Sequence, residues 1–347
     1  MDRKVTLNDV AKVAGVAPSS VYKALNDIKG VKPYKREAIV KIAEQLGYTN
    51  KHNTAKYANK NIVVLLPKPE DEYRYFYQYI WDGIRAKATE LEPLGFRTTE
   101  YGFGGKSEDQ KRCIEAILKS KENIDGIITL FWNQETFLEV VNDLNKLGIP
   151  VFTISSDAPF SNCVTSIMPD AYSTGRLAGE YLGSVIHENG HVIIASTRRN
   201  SITHEQLIRG FFDQVRTMNP ELEILEIYEN TREEEHFNKL LNDYLTCFND
   251  IKGIFASNAR STKMVGSFLR HHPKREELKV LGTEVFKESV QYMRQGVFNA
   301  LIDQKPYEQG YMCLSIAFDV IVKGAKVNRT IYISDNLYLT NNLPKNI

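Results

Sequence analysis

The chain has 347 residues, with 44 Lys and Arg against 43 Asp and Glu, and 42% of its residues are hydrophobic and 25% charged. This composition excludes collagen-like and wholly disordered chains, and the length predicts two or three globular domains. No stretch has the apolar length of a membrane helix, and the amino terminus MDRKVTLNDV is charged where a secretion signal is apolar, so we expect a cytoplasmic protein without a membrane partner. The four cysteines lie at least 50 residues apart, which favours neither a disulfide framework nor a thiolate metal site.

The near-neutral total hides two segments of opposite charge. Residues 1–60 carry 12 Lys and Arg against 5 Asp and Glu, a net charge of +7, and the other 287 residues carry 32 against 38, a net charge of −6. A small basic segment ahead of a larger acidic one is typical of a protein whose first domain binds a polyanion. The charge pattern therefore favours nucleic acid as a partner of the first segment.

Three short helices are predicted in this basic segment. Thr6 with Asp9 three residues later is a helix start in which the hydroxyl caps free backbone N–H groups. Gly15 ends that helix, and Pro18 opens the next one. The predicted helices cover residues 7–14, 19–26 and about 34–46. Two short helices joined by a tight turn form a helix-turn-helix, whose second helix presents its first residues to the major groove of DNA.

The stretches VTLNDVAKVAGVAPSSVYKALN and KREAIVKIAEQLGY resemble the DNA-binding domain of the lactose-repressor (LacI/GalR) family of bacterial transcription regulators, over about residues 5–58. The resemblance places three residues against bases: Pro18, Ser19 and Lys23. It places six residues against phosphates: Thr6, Ser20, Asn26, Lys32, Lys35 and Arg36. The chemistry agrees for the longer side chains, because Lys23 can reach a guanine edge and basic residues in the first turn of a helix can meet a phosphate.

Two features separate this segment from the family pattern. Ala17 replaces the usual Ser or Thr cap, and Tyr22, which we include among the DNA-contacting residues, replaces a small Ser. The following stretch TNKHNTAKYANK has the length of the family's hinge helix without its Pro-Asn-Arg signature, and Tyr57 stands where an apolar Leu usually enters the minor groove. With Lys51 and His52 it is predicted to be a basic linker that orders on DNA.

Beyond residue 60, short apolar runs alternate with amphipathic helices. Strands are expected near 61–66, 97–102, 125–131, 150–154, 164–168, 191–196, 222–228, 252–257, 278–282 and 299–302. Helices are expected over 76–94, 107–120, 135–147, 171–187, 202–218 and 233–248. This alternation predicts a doubly wound α/β body with parallel sheets, and so many strands predict two lobes with a ligand at the carboxyl ends of the strands.

The body also resembles the effector domain of the same family, which is similar to type I periplasmic sugar-binding proteins. The phrases that carry this resemblance, in the family's order, are VFTISSDAP, PDAYSTGRLAGEYL, HEQLIRGF, IFASNA, VLGTEV and ALIDQKPYEQG. It implies that the chain crosses between lobes near 160, 295 and 325. The predicted domains are a head (1–49), a linker (50–60) and an effector-binding and dimerisation body (61–347), with an N-lobe of about 61–160 and 296–325 and a C-lobe of about 161–295 and 326–347.

A sugar site needs carboxylates or amides for hydroxyl groups and aromatic faces for the apolar side of the ring. The stretch PKPEDEYRYFYQYIW supplies Tyr75 and Phe76, although tyrosines at a helix start can equally belong to the core or to a dimer surface. The polar candidates implied by the resemblance are Asp157, Glu205, Asn258, Glu284 and Gln304. Glu205 and Leu207 occupy a site where relatives commonly use Arg, and Glu284 replaces a more usual Asp.

Two motifs suggest chemistry that their context does not support. His187, Glu188 and His191 spell the HExxH zinc motif, but Gly190 breaks the helix that the motif requires. The stretch YGFGGKS is not a phosphate-binding loop, because Glu100 stands at the required first Gly. No nucleophile, base and orienting group come together in the sequence, so we predict no cofactor, no metal ion and no enzymatic activity.

The sequence thus predicts a cytoplasmic homodimeric transcription regulator, acting as a repressor of carbohydrate-related genes. Its predicted partners are a palindromic double-stranded DNA operator and a small sugar-like effector, with inducer and corepressor both open. One alternative is a small-molecule binding protein whose head serves another partner. Another is an enzyme acting on a sugar or nucleotide, which rests only on fold analogy.

Overall fold

The computed structural model describes residues 5–26, 28–48, 60–104, 107–120, 123–130, 134–156, 160–196, 202–228 and 234–345. Its first part is a three-helix head. The helices are α1 (Leu7–Ala14), α2 (Pro18–Leu25) and α3 (Pro33–Gln45). All three predicted helices are confirmed to within about a residue at each end.

Local sequence explains where these helices begin and end. The Thr6 hydroxyl accepts from the Asp9 N–H at 3.3 Å, and the Asp9 carboxylate accepts from the Thr6 N–H at 2.8 Å, a capping box that satisfies two free donors. Gly15 ends α1 at φ 63°, where a residue with a Cβ is strained. The residues that form the head core are Val10, Ala11, Val21, Ala24, Ile39 and Ala43.

Two six-stranded sheets make up the body in the described part of the chain. The first contains β1 (Asn61–Pro67), β2 (Arg97–Phe103), β3 (Gly126–Thr129), β4 (Val151–Ile154), β5 (Thr165–Pro169) and β11 (Thr330–Ile333). The second contains β6 (Gly190–Ser196), β7 (Leu222–Tyr228), β8 (Ile251–Ala256), β9 (Lys279–Thr283), β10 (Ala300–Asp303) and β12 (Asn336–Tyr338).

The strand orders are β11-β5-β4-β3-β1-β2 and β12-β10-β9-β8-β6-β7. Neighbouring strands are parallel except for β10 and β12. Helices on the first sheet are α4 (Arg74–Leu91), α5 (Ser107–Lys119), α6 (Gln134–Lys146) and α12 (Pro306–Lys323). Those on the second are α7 (Ala171–Val185), α8 (Ile202–Met218), α9 (Glu234–Cys247), α10 (Ala259–Leu269) and α11 (Lys287–Arg294). The doubly wound, two-lobed prediction is confirmed.

The predicted points of crossing between lobes, near 160, 295 and 325, are wrong by several residues. β5 still pairs with β4 in the first sheet, β10 pairs with β9 in the second, and β11 pairs with β5 in the first. The chain therefore crosses after residues 169, 303 and 333. The sequence could not place these points, because an apolar run fits either sheet and only strand pairing decides between them.

Glycines bring two helix pairs into backbone contact. A Cβ on Gly175 in α7 would lie 1.9 Å from the Leu207 carbonyl oxygen of α8, and a Cβ on Gly83 in α4 would lie 2.0 Å from the Tyr307 carbonyl oxygen of α12. Leu207 is itself buried in the core of the second lobe, so it packs helices together instead of lining a ligand site. No helix in the described ranges has the length and hydropathy needed to cross a membrane.

Candidate nucleic-acid interface and ligand site

The second helix of the head has one buried and one exposed face. Val21 and Ala24 are buried in the head core. The exposed residues of α2 are Pro18, Ser19, Tyr22 and Lys23, and Ser20 is partly buried. The Ala17 side chain makes no capping hydrogen bond, and Pro18 occupies the first turn. The residues predicted to read bases therefore share one accessible face at the start and middle of a rigidly packed helix.

The residues predicted to hold phosphates divide into two groups. Lys32 and Lys35 are exposed at the start of α3, where the positive end of the helix dipole adds to their charge. Asn26 donates from Nδ2 to the Tyr22 carbonyl at 2.8 Å, and Arg36 donates from Nη2 to the Ile28 carbonyl at 2.8 Å. The structure thus gives Asn26 and Arg36 a role in fixing the end of α2 and the loop after it, as it gives Thr6 a role in capping α1.

Four predicted site residues, Lys51, His52, Tyr57 and Asp157, lie outside the described residues. Among the others, Tyr75 and Phe76 lie in a contact between the two lobes. Glu205 is exposed in the first turn of α8, the helix that follows the carboxyl end of β6 in the second lobe.

An aromatic cluster joins the lobes, and we call it the interlobe cluster: Tyr75, Phe76, Tyr79, Ala259 and Phe286. The Tyr75 and Phe286 rings lie 4.8 Å apart between centroids. Arg74 donates to the Tyr75 hydroxyl at 2.8 Å and lies 3.7 Å from the Glu288 carboxylate. The predicted pair Tyr75 and Phe76 is therefore brought together with Phe286, which was not predicted although it stands two residues after Glu284.

Glu284 is the most unusual group at this junction. Its backbone has φ 76°, the residue is 1% exposed, and neither carboxylate oxygen has a hydrogen bond of ordinary geometry among the described residues. Burial, followed by the nearby Asp303 and Asp335 carboxyls, raises the pKa of Glu284 well above its ordinary value, and a weak contact from the Gln304 backbone N–H, short of ordinary hydrogen-bond geometry, lowers it slightly. A buried carboxyl without partners is costly, so this position requires a functional explanation.

Asp303 and Asp335 complete what we call the acidic cluster with Glu284. Burial raises the pKa of Asp303, and it raises the pKa of Asp335 to about 6. Asp335 Oδ2 lies 2.5 Å from the Thr174 hydroxyl, which also donates to the Asp170 carbonyl at 2.9 Å. Because a hydroxyl has one proton, a protonated Asp335 can donate to Thr174 while Thr174 donates to Asp170.

The two predicted amide residues, Asn258 and Gln304, have different hydrogen-bond partners. Asn258 caps α10, accepting at Oδ1 from the Ser261 N–H at 2.9 Å, and it remains partly exposed. The Gln304 carbonyl accepts from Gln309 Nε2 at 2.7 Å, and Gln309 Oε1 accepts from the Ser155 hydroxyl at 2.5 Å. Gln304 therefore lies in a hydrogen-bonded link between the ends of β10 and β4.

Ser196 is a further polar group that sequence reasoning missed. It ends β6, is 1% exposed, and its hydroxyl has no hydrogen-bond partner among the described residues. A serine at the carboxyl end of a predicted parallel strand is the signal that could have identified it.

The HExxH residues do not share a helix. α7 ends at Val185, and His191 belongs to β6, where Nδ1 lies 2.8 Å from an Asp250 oxygen and Nε2 lies 3.3 Å from a Glu223 oxygen. Within the described ranges, no three His, Cys, Asp or Glu side chains are arranged to hold a metal ion.

Comparisons with known proteins agree with both parts of the chain. The family described as bacterial regulatory proteins, lacI family, matches residues 6–51, and the family described as periplasmic binding protein domain matches residues 62–326. The HTH-type transcriptional regulator DegA of Bacillus subtilis (strain 168) is 28% identical over 217 residues, which are 60% of each chain. The present chain thus spans less than two thirds of the length of this curated relative.

Two solved structures share the fold of the body. A candidate LacI transcriptional regulator from Bacteroides fragilis superposes with a TM-score of 0.75 at 19% identity, covering 82% of this chain and 98% of that one. GanP, a glucose-galactose binding protein from Geobacillus stearothermophilus, superposes with a TM-score of 0.72 at 24% identity, covering 82% and 99%.

Proposed function

We propose that this chain is a cytoplasmic transcription regulator that binds operator DNA as a homodimer and responds to a small sugar-like ligand. The chain belongs to the lacI family of bacterial regulatory proteins and carries a periplasmic binding protein domain. The observation that carries the proposal is the exposed face of α2, presented by a packed helix-turn-helix ahead of a two-lobed body. In this proposal it acts as a repressor.

The head binds DNA by placing α2 in the major groove. Lys23 donates to a guanine edge, and Tyr22 offers an aromatic surface to the neighbouring base. Lys32 and Lys35, with the start of α3, hold a backbone phosphate and fix the position of α2. Asn26 and Arg36 contribute by keeping α2 and α3 in their relative position.

Two heads in a homodimer bind two half-sites about one helical turn apart, and their connection makes the second contact intramolecular. This arrangement matches a palindromic operator. The affinity for the operator then depends on the distance between the two heads.

The ligand site lies where the lobes meet, at the interlobe cluster and the acidic cluster. Aromatic faces suit the apolar side of a sugar ring, and carboxyl and amide groups suit its hydroxyls. The shared fold with a glucose-galactose binding protein supports this assignment. A ligand held by both lobes biases their arrangement and so couples to the heads, provided that it binds the two arrangements unequally.

Fluorescence anisotropy with a palindromic duplex obtained by in vitro selection tests the proposal. We expect tight binding of one dimer per duplex and a steep loss of affinity with added salt, because phosphate contacts release counterions. Affinity that does not change with salt would contradict the assignment of the head. Failure to select any preferred duplex would favour a binding protein whose head serves another partner.

A further inference from the structure

The proposed function does not explain why Glu284 is buried without a partner. We infer that the ligand carries a protonated amine, as an amino sugar does, with its ammonium group on Glu284 and the apolar face of its ring against Tyr75 and Phe286. This inference rests on the proposed function only in taking the meeting point of the lobes as the ligand site.

The first support is the unsatisfied carboxyl itself. Glu284 is 1% exposed, and neither of its oxygens has a hydrogen bond of ordinary geometry among the described residues, since the Gln304 backbone N–H makes only a weak contact with it. Protonation alone leaves an O–H donor and an acceptor still unmatched. A donor brought by the ligand satisfies the group, and an ammonium, with three donors and a positive charge, satisfies it best.

The second support is the charge around it. Asp303 and Asp335 both act on Glu284 electrostatically, with Lys305 as the cation beside those two aspartates. Burial, followed by the charges of carboxyls on several elements, raises the pKa of Tyr79 in α4; the carboxyls are Glu288, Asp82, Glu284 and Asp303. Carboxyls thus outnumber cations around Glu284, which attracts a cationic ligand and repels a sugar acid or sugar phosphate.

Nearby basic side chains do not cancel this charge. Arg74 binds the Tyr75 hydroxyl and lies near Glu288, and Lys263 is paired with Glu234. The described carboxyls do not form a metal-binding group, so an organic cation fits the site better than a metal ion. Aromatic rings beside the carboxyl add favourable contacts for an ammonium and for the C–H face of a sugar.

When the ammonium ligand binds in this way, Glu284 loses its proton. Glu284–COOH and the ammonium ligand become a carboxylate–ammonium pair, and the displaced proton leaves to solvent. The groups facing Glu284 are Asp303 from β10, Asp335 from the link between β11 and β12, and Tyr79 from α4, with Lys305 nearby. Because these carboxyls and burial hold the pKa of Glu284 high, binding should strengthen with rising pH until the ligand amine itself loses its proton.

Isothermal titration calorimetry on the full chain tests the inference with three matched sugars: glucosamine, glucose and glucuronate, and the corresponding galactose series. We expect the amino sugar of at least one series to bind about tenfold or more tightly than its neutral parent. Titrations in phosphate and Tris, which differ in ionisation enthalpy, should show proton release on binding. The sugar acids should not bind.

Two variants make the result specific. Glu284→Gln should bring the affinity ratio of amino to neutral sugar close to unity, and Asp335→Asn should reduce it. The matched control Glu276→Gln, which removes an exposed carboxyl in the same lobe, should leave the ratio unchanged, and circular dichroism checks that each variant folds. Equal affinity for amino and neutral sugars, no binding of any amino sugar, or an unchanged ratio in Glu284→Gln would overturn the inference. Binding of neutral sugars alone would overturn it while leaving the proposed function standing.

Discussion

The ring of Tyr75 in the first lobe lies 4.8 Å from the ring of Phe286 in the second, and both side chains are buried. Tyr75 comes from the start of α4, and Phe286 comes from the loop between β9 and α11. The contact joins the lobes next to Glu284, at the site proposed for the ligand. A change in the arrangement of the lobes must repack this pair, which makes it a discrete element on which a ligand can act.

Replacing Tyr75 with Ala should weaken both interlobe packing and ligand binding. Loss of the ring pair removes about 0.5–1.5 kcal/mol beyond the buried area, and the ligand loses one aromatic face. We expect a lower thermal midpoint and a much smaller ligand-induced rise of that midpoint. The control Tyr332→Ala removes a tyrosine that is 60% exposed and should preserve the ligand effect. An undiminished ligand effect in Tyr75→Ala would place the ligand elsewhere.

Replacing Lys23 with Ala should weaken specific DNA binding. A lost contact to a guanine edge costs about 1–3 kcal/mol in discrimination, so anisotropy should show weaker operator binding with little change in thermal stability, because Lys23 is exposed. Lys41, exposed on α3, provides a control of equal charge, and Lys41→Ala should bind the operator as the wild type does. Equal affinities for the two variants would argue against base reading by Lys23.

Protonation of Asp335 should make the free energy of unfolding depend on pH. Its pKa of about 6 lies above the ordinary aspartate value of 3.8, so the folded chain holds this proton more tightly than the unfolded chain. The contribution is complete below about pH 4 and is lost as pH rises through about 6. A pKa difference of this size corresponds to about 3 kcal/mol of unfolding free energy.

Denaturant unfolding at pH 4 to 7 checks this sign with Asp335→Asn, whose amide N–H can donate to Thr174 as the protonated carboxyl does. Relative to this variant, the wild type should lose about 2 kcal/mol of unfolding free energy across that interval. The control Asp243→Asn, at an exposed position of α9, should follow the wild-type profile. A wild type that gains stability relative to Asp335→Asn as pH rises would show that the folded state favours the charged form.

Replacing Gly175 with Ala should destabilise the second lobe. The added Cβ would meet the Leu207 carbonyl oxygen at 1.9 Å, so α7 and α8 must separate, at a cost of about 3 kcal/mol or more. In the control Gly104→Ala the nearest atom is an Asp109 carboxylate oxygen at 3.1 Å, on a side chain that can move. Chemical denaturation should show a large loss of unfolding free energy for Gly175→Ala and a small one for Gly104→Ala. An unchanged unfolding free energy for Gly175→Ala would contradict the close packing of α7 and α8.

Local signals allowed much of the fold to be predicted. The capping pair Thr6 and Asp9 set the start of α1, and apolar runs located the first ten strands. β11 and β12 were not predicted, because they are short and only partly buried. The lobe crossings depend on strand pairing, which no local pattern encodes.

The candidate site was predicted residue by residue but not as an arrangement. Tyr75 and Phe76 were proposed from the sequence, and Asn258, Glu284 and Gln304 from the family resemblance, and all five stay predictions as ligand contacts. The contacts that define their environment join distant parts of the chain: Thr174 to Asp335, Ser155 to Gln309, and Tyr75 to Phe286. Such pairs follow from the crossings between lobes and could not be read from one sequence.

A ligand between the lobes should control DNA binding by the head, and this coupling is the centre of the proposed function. The most direct measurement is the anisotropy-derived affinity of the full chain for its selected operator, with and without a saturating sugar or amino sugar that raises the thermal midpoint. We predict a change of about fivefold or more, in either direction, and its loss in Tyr75→Ala. An operator affinity that stays the same while the ligand demonstrably binds would contradict this coupling.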